Sequence, residues 1–385
     1  MAKKFRRKKN NLNNLNKLKS GDYYLMLFTL ILVVAGLIMV FSASYYYSIS
    51  QDGSAYSYLK RHGAWVIIGF GLMVFGATYD YRKYKKLALP GLALSIVLLV
   101  LIFSPLGETI NGARRWLDVG PITVMPGELA KLAAILFVAW YLSEDISRIM
   151  SIKRGILPVL GVMTVLAGLI IKQPNLSTAI TVCGIIVAMM LVAGMKWRYF
   201  FGAAGLGVAG ILSILLFMKD SYWYVRLTAF TNPFADSLGS GYQAVQSLLA
   251  LGSGGLFGVG LGKSVQKNLY LPEPQNDFIL AIIGEELGFV GVLILIVLYC
   301  LFLWRGIHVA INAPDQFGLL LASGVVLMVA IQVILNIAVV TSSMPATGIN
   351  LPFISYGGNA LLIFMFSAGV LINISRHEVK NTGVE

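Results

Sequence analysis

Residues 271–289 read LPEPQNDFILAIIGEELGF, from Leu271 to Phe289. Two prolines and the acids Glu273 and Asp277 precede an apolar run, and Glu285 and Glu286 then lie inside it. A polar, proline-rich segment that leads straight into uncharged sequence marks the edge of a membrane span. Carboxylates inside such a run are costly and imply a purpose. The chain has only 17 acidic residues against 30 basic ones, so four acids in this short stretch raise the question of what they do.

Composition sets the context. Of the 385 residues, 57% are hydrophobic and 12% charged, and the mean hydropathy is +0.78. A soluble chain of this length would form two or three domains but would not be so apolar. The sequence predicts an all-α polytopic membrane protein of about ten spans. They fall near 22–44, 62–79, 87–104, 127–143, 155–172, 177–195, 199–218, 277–303, 317–341 and 359–375. The net charge of +13 comes from short basic clusters between the apolar runs, which fits a positive-inside signal and not a nucleic-acid surface. Two-thirds of the 30 Lys and Arg fall on one side, predicted to be cytoplasmic together with both termini. The resulting division is a basic cytoplasmic tail at 1–21, a membrane domain at 22–375 and a cytoplasmic tail at 376–385. A large extracellular loop at 219–276 separates helices seven and eight.

Several readings are excluded. Cys183 and Cys300 sit in apolar runs, with no CxxC and no disulfide framework. His62, His308 and His377 are scattered at segment ends, without zinc-ligand spacing. The KKFRRKK tail looks like a signal-peptide start, but the run from Tyr23 to Ala43 is too long for one, so the first helix is expected to stay. Gly205 to Gly210 matches GxGxxG inside an apolar run, where close helix packing explains it better than a dinucleotide. The glycines of GSGGLFGVGLGKS, Gly252 to Ser264, lack phosphate-loop spacing.

The irregular sequence gathers on the outer side, in ETINGARRWLDVGPITVMPG (Glu108 to Gly127), in Lys219 to Asn276, which has room for short helices, and in SSMPATGINLPFISYGG (Ser342 to Gly358). Long loops of this kind are more often functional than connective. Asp277 stands where a loop meets the membrane, either as a helix N-cap or as a functional carboxylate. On a helix starting there, Ala281, Gly284, Glu285 and Gly288 share its face, leaving room for a large side chain or a ligand. Glu285 would lie roughly 12 Å deeper, as a functional acid or in a structural ion pair. Arg114 and Arg115 on an outer loop suit phosphate, through the guanidinium fork, or a membrane headgroup. Glu128 and Lys131, three apart, share a helix face. Gly348 to Asn359, GINLPFISYGGN, with Gln332 and Asn336 on the ninth span, reads as a polar cavity opening outward. Together these features fit a substrate with a lipid tail, a phosphate linkage and a polar head.

Motifs in order along the chain are NGARRWLDVGP, PGELAKLA, KQPNLSTA, GSGYQAVQSLLALGSGGLFGVGLGKSVQK, YLPEPQNDFILAIIGEELGF and GINLPFISYGG. With these the chain resembles the SEDS family, which includes FtsW, RodA and SpoVE, over nearly its whole length after the tail. Its KSVQKNLYLPEP form is similar to the division and sporulation branch of Gram-positive bacteria. The resemblance implies a peptidoglycan glycosyltransferase that polymerises lipid II on the outer face of the cytoplasmic membrane, at the division septum. It places the family's essential aspartate on Asp277 as general base. It makes Arg114, Arg115, Glu128, Lys131, Glu273, Glu285, Ser355 and Gly357 candidates for substrate binding, and it allows a divalent cation, Mg or Mn. It also implies a class B penicillin-binding protein as partner, along with other divisome membrane proteins.

The chain departs from the family pattern at Met125-Pro126-Gly127-Glu128, at Gln173-Pro174-Asn175, where the usual acid is absent, and at Asn359-Ala360. A lipid II flippase and a non-catalytic scaffold are the competing expectations. A flippase should show paired broken helices in two repeats, and no internal repeat is found.

Overall fold

A computed structural model describes residues 21–110, 113–118, 120, 123–217, 228, 230–346 and 348–378. The tails at 1–20 and 379–385, and residues 218–227 and 229 of the large outer loop, lie outside the described residues. The bundle consists of α1 (Tyr23–Asp52), α2 (Ser57–Thr78), α3 (Tyr81–Leu101), α4 (Pro126–Glu144), α5 (Leu157–Ile171), α6 (Leu176–Val192) and α7 (Trp197–Phe217), then a short α8 (Tyr242–Gly254), α9 (Ile279–Ile311), α10 (Gln316–Val340) and α11 (Gly358–Arg376). Apart from α8, each matches one of the ten expected spans. Among the described residues, six are long and apolar enough to cross a bilayer by length and composition. Among the others, α2 and α4 carry Lys60, Arg61, Glu128 and Lys131.

The ends of the bundle meet on one side. The Asp22 amide donates to Ser375 Oγ at 2.8 Å, and Arg305 pairs with the Asp22 carboxylate. Helices α2 and α11 approach backbone to backbone. A Cβ on Gly76 would lie 2.8 Å from the Phe366 carbonyl, and one on Gly369 only 2.1 Å from that of Met73. Without a hydrophobic drive between helices in lipid, such small-residue contacts carry the packing.

Three features differ from the sequence expectation. The outer loop before α4 forms an antiparallel sheet of β1 (Gly107–Ile110), β2 (Ala113–Asp118) and β3 (Thr123–Val124), in that order. The fold is therefore helical with one small sheet capping its outer side. Among the described residues, a Cβ on Gly205 or Gly207 would meet nothing within 4 Å, so no close helix contact is seen at these glycines there. Finally, α9 is broken at Gly288 (φ 68°, ψ −169°), a conformation essentially restricted to glycine.

Candidate functional site

The break in α9 answers the question of the two buried glutamates. Where the helix is interrupted, the carbonyls of Glu285 and Glu286 accept from the amides of Val259 (2.9 Å) and Gly260 (3.0 Å). The amides of Phe289 and Val290 donate to the carbonyls of Gly255 (2.9 Å) and Leu256 (3.0 Å). The segment after α8 thus supplies the backbone bonds that a broken membrane helix needs. The side chains complete the attachment. Glu285 accepts from the Val265 amide (2.8 Å) and from Ser264 Oγ. Glu286 accepts from Ser42 Oγ and Lys267 Nζ, both at 2.7 Å. All five polar side chains of this node, Ser42, Ser264, Lys267, Glu285 and Glu286, are buried.

Glu285 is therefore turned to the segment after α8 and does not line the cavity that Asp277 lines, which corrects the expectation of a common face with Asp277. That face is taken by α8: a Cβ on Gly284 would lie 2.5 Å from Leu251, and one on Gly254 1.9 Å from the Gly284 carbonyl. The expectation failed because it assumed a continuous helix beginning at Asp277. The N-cap position falls instead on Phe278, leaving Asp277 in the preceding turn.

Asp277 lines a cavity of about 980 Å³. The turn that carries it is tied to the 348–357 loop. The Tyr356 amide donates to the Gln275 carbonyl (2.9 Å), Ser355 Oγ to that of Asn276 (2.6 Å), and Asn336 Nδ2 to those of Asp277 (2.8 Å) and Ile349 (2.7 Å). Gly348 (φ 76°) passes so close that a Cβ there would fall 3.2 Å from Asp277 Oδ2 and 3.9 Å from Arg115 Nη1. The Asp277 carboxylate and the Arg115 guanidinium therefore flank one glycine. Glu273 holds a left-handed backbone (φ 50°) and accepts from Asn276 Nδ2 at 2.7 Å; a non-glycine residue in that region stores strain of the kind found at functional sites.

Of the predicted residues, Asp277, Arg115, Glu128, Lys131, Glu273 and Gly357 line the cavity. Lys131 and Glu128, both buried, pair at 2.7 Å on the first turns of α4. Arg115, on β2, also donates to the Pro174 carbonyl. Arg114 points the other way along the strand and donates to the carbonyls of Gly107 (3.1 Å) and Ser104, bracing the sheet. Ser355 acts on the backbone of Asn276 and does not line the cavity. Asn175, which stands where the family pattern has an acid, caps α6 by accepting from the Thr178 amide (3.3 Å). Asn and Asp rank together as N-caps, so this substitution keeps the helix end.

The sequence reading missed Tyr58 and Trp65 on α2 and Thr178 and Thr181 on α6, all of which line the cavity. Burial pushes the Tyr356 phenol above its usual range, with Arg61 pulling it down and Asp52 and Glu273 pushing it further up. It stays a neutral hydroxyl.

A family model described as a cell cycle protein, FTSW_RODA_SPOVE, matches residues 23–380. The chain belongs to the FtsW/RodA/SpoVE family. Stage V sporulation protein E of Bacillus subtilis is 42% identical over 362 residues, which cover 94% of this chain and 98% of that protein. The probable peptidoglycan glycosyltransferase FtsW of Geobacter metallireducens is 36% identical, over 95% and 98%. Among solved structures, the rod shape determining protein RodA of Thermus thermophilus matches with TM-score 0.69 at 28% identity, over 94% of this chain and 99% of that one. A chain from a structure described as coordinating polymerization and crosslinking in a peptidoglycan synthase complex matches with TM-score 0.76 at 27% identity, over 93% and 98%. As an FtsW/RodA/SpoVE protein, the chain shares the fold of these solved structures over 93–94% of its length.

Proposed function

We infer that the chain is a peptidoglycan glycosyltransferase that polymerises lipid II into β-1,4-linked glycan at the outer face of the cytoplasmic membrane. The observation that carries this reading is the half-buried Asp277 carboxylate beside Gly348, in a polar cavity it shares with Arg115 and Lys131. In the reaction, Asp277 takes the proton from the 4-hydroxyl of the acceptor GlcNAc as general base. The freed oxygen attacks C1 of the donor MurNAc, and the bond from C1 to the diphosphate oxygen breaks with inversion. Undecaprenyl diphosphate leaves with the electron pair. Diphosphate is a good leaving group, so cationic stabilisation by Arg115 and Lys131 replaces a general acid. Arg114, turned into the sheet, is left out of this step.

The cation question is one of donors. Among the described residues no group of three or more His, Cys, Asp or Glu is placed to hold a metal. Mg²⁺ is commonly held by one or two carboxylates while substrate phosphates complete its shell. Asp277 and Glu273 are the residues that would hold it here, and the ion would neutralise charge on the leaving diphosphate. The steps above use the chain's own groups alone.

A class B penicillin-binding protein, which crosslinks what this chain polymerises, is the proposed partner at the septum, with other divisome membrane proteins around them. The similarity to a chain from a peptidoglycan synthase complex supports this pairing. The test compares glycan formed from labelled lipid II by wild type and by Asp277→Asn, each purified with the partner. Polymer from wild type and none from the folded, partner-bound variant is expected. Equal polymer from both removes Asp277 from the chemistry, and none from either returns the flippase reading.

A further inference from the structure

The segment that follows α8 carries no charge from Gly255 to Gly262, and it turns large apolar side chains outward. Leu256 is 64% exposed, Phe257 80% and Leu261 54%. None of the three lines the cavity that holds Asp277. The backbone beneath them is nonetheless firmly held. Its bonds to both sides of the α9 break fix it in place, and the Gly258 amide closes a turn on the Gly254 carbonyl at 2.8 Å. Gly258 (φ 79°) runs so close to α9 that a Cβ there would fall 2.1 Å from the Glu286 carbonyl oxygen.

Two helices give the depth of this segment independently. On α9, Trp304 is exposed, and Arg305 beside it pairs with Asp22 and packs on Tyr24 at 5.4 Å. Aromatic and cationic side chains gathered in this way mark a membrane interface. Gly288 stands sixteen residues before Trp304 on the same helix, about 24 Å above that belt at the usual helical rise. On α1, Ser42 bonds Glu286 at 2.7 Å and stands eighteen residues after Tyr24, about 27 Å above the same belt. The exposed Tyr45 and Tyr46 come next and form the opposite belt. The hydrocarbon core is about 30 Å thick. Both counts therefore put the α9 break, and the segment bonded to it, inside the core at its outer edge.

We propose that residues 255–262 form a re-entrant edge of the membrane domain, with Leu256, Phe257 and Leu261 inserted among the acyl chains of the outer leaflet. Irregular backbone is tolerated at that depth only where protein satisfies its polar groups, and the broken helix does so here. Lipid is the occupant because the surface continues into Phe289, Leu293 and Ile294, the exposed apolar side chains of α9 that follow the break. Lys263, the first charge after the segment, is exposed, and its stem is long enough to carry the ammonium up to headgroup phosphates. The stretch predicted as one extracellular loop, 219–276, is then divided by a dip into the bilayer. Lys267, buried against Glu286, closes the dip, and Asp277 follows ten residues later. The leaflet thereby sets the height of that carboxylate, whichever reaction the cavity carries.

The test uses the full chain in proteoliposomes, alone and with a class B penicillin-binding protein. A nitroxide on Phe257→Cys, with Cys183→Ala and Cys300→Ala as background, reports collisions with oxygen, which concentrates in lipid, and with a water-soluble nickel chelate. Gln51→Cys, exposed on α1 five residues beyond Tyr46, is the aqueous control. Oxygen collisions severalfold more frequent than nickel collisions are expected at 257 in both preparations, and the reverse at 51. Frequent nickel collisions at 257 would return the segment to water. Loss of both kinds of collision when the partner is added would assign it to a protein contact, and either result overturns the proposal. A second measurement keeps the native cysteines. Phe257→Trp should lose most of the fluorescence it adds over wild type when the acyl chains are brominated, and unquenched emission would equally overturn the insertion.

Discussion

Two lysine–glutamate pairs with the same 2.7 Å separation have different surroundings in this molecule. Lys267 and Glu286 sit where α1, α9 and the segment after α8 meet, and both carboxylate oxygens have hydroxyl or amide partners in Ser42 and Ser264. Lys131 and Glu128 face the cavity. Among the described residues the Lys131 ammonium meets only that carboxylate and, at 5.8 Å, the Phe364 ring. Distance and burial do not separate a structural pair from one placed for a ligand. The remaining hydrogen bonds do. A saturated pair holds elements together, and an unsaturated one beside a cavity keeps capacity for phosphate oxygens.

Breaking one half of each pair should expose the difference. Lys267→Met leaves Glu286 buried without a counter-charge and should cost about 3–5 kcal/mol of stability, read as a lowered thermal midpoint in membrane mimetic. The double variant Lys267→Met/Glu286→Gln should recover most of that loss, because no uncompensated charge remains. Lys131→Met should lose activity by a factor on the order of 10²–10³, as expected when one group that stabilises developing charge is removed. Its thermal midpoint should fall far less than that of Lys267→Met. If the Lys131 variant unfolds as readily and keeps its activity per folded molecule, the two pairs are alike and the comparison fails.

The same contrast shows what the sequence could and could not reveal. The ten spans were legible because lipid demands long apolar runs, and a run states its own length. The sheet at 107–124 was not, because its strands are short and rich in turn residues. Asp277, Arg115, Glu128 and Lys131 were legible as charges where charges are scarce. Glu285 was read from the helical period, and a period holds only while the helix does. The helix begins only after Phe278, so Asp277 stands outside that period, and the face that carries Gly284 is a seat for α8. Tyr58 and Trp65 escaped notice because aromatics at the outer end of a span usually belong to the interfacial belt. Their i, i+7 spacing about His62 was the available signal.

A smaller effect should follow at Gly348. Alanine there would have to keep φ near 76°, which costs roughly 1–2 kcal/mol for a residue with a Cβ. Its Cβ would crowd Asp277 Oδ2 at 3.2 Å, so the carboxylate must shift by a few tenths of an ångström. Small misplacement at a reacting centre lowers the rate steeply, and roughly a tenfold fall in kcat with KM unchanged is expected. An equal rise in KM would place the glycine at substrate binding, away from the base.

The least effect should come from Asp315, which caps α10 and does not line the cavity that holds Asp277. Burial works to raise its carboxyl, but bonds from Tyr81 Oη (2.5 Å), the Gly318 amide (2.8 Å) and Arg82 Nε (3.2 Å) outweigh it and hold the group below the usual range. A carboxyl lowered in the folded state adds stability that is complete above its unfolded value, about 3.9, and is lost as pH falls through the folded value. Asp315→Asn keeps a good cap and should cost less than about 1 kcal/mol at pH 7. The gap between the two thermal midpoints should stay constant from pH 8 to 5 and close only below about pH 4. A gap that already narrows at pH 6 would mean the carboxyl is not held low, and the three bonds would then be geometry without electrostatic weight.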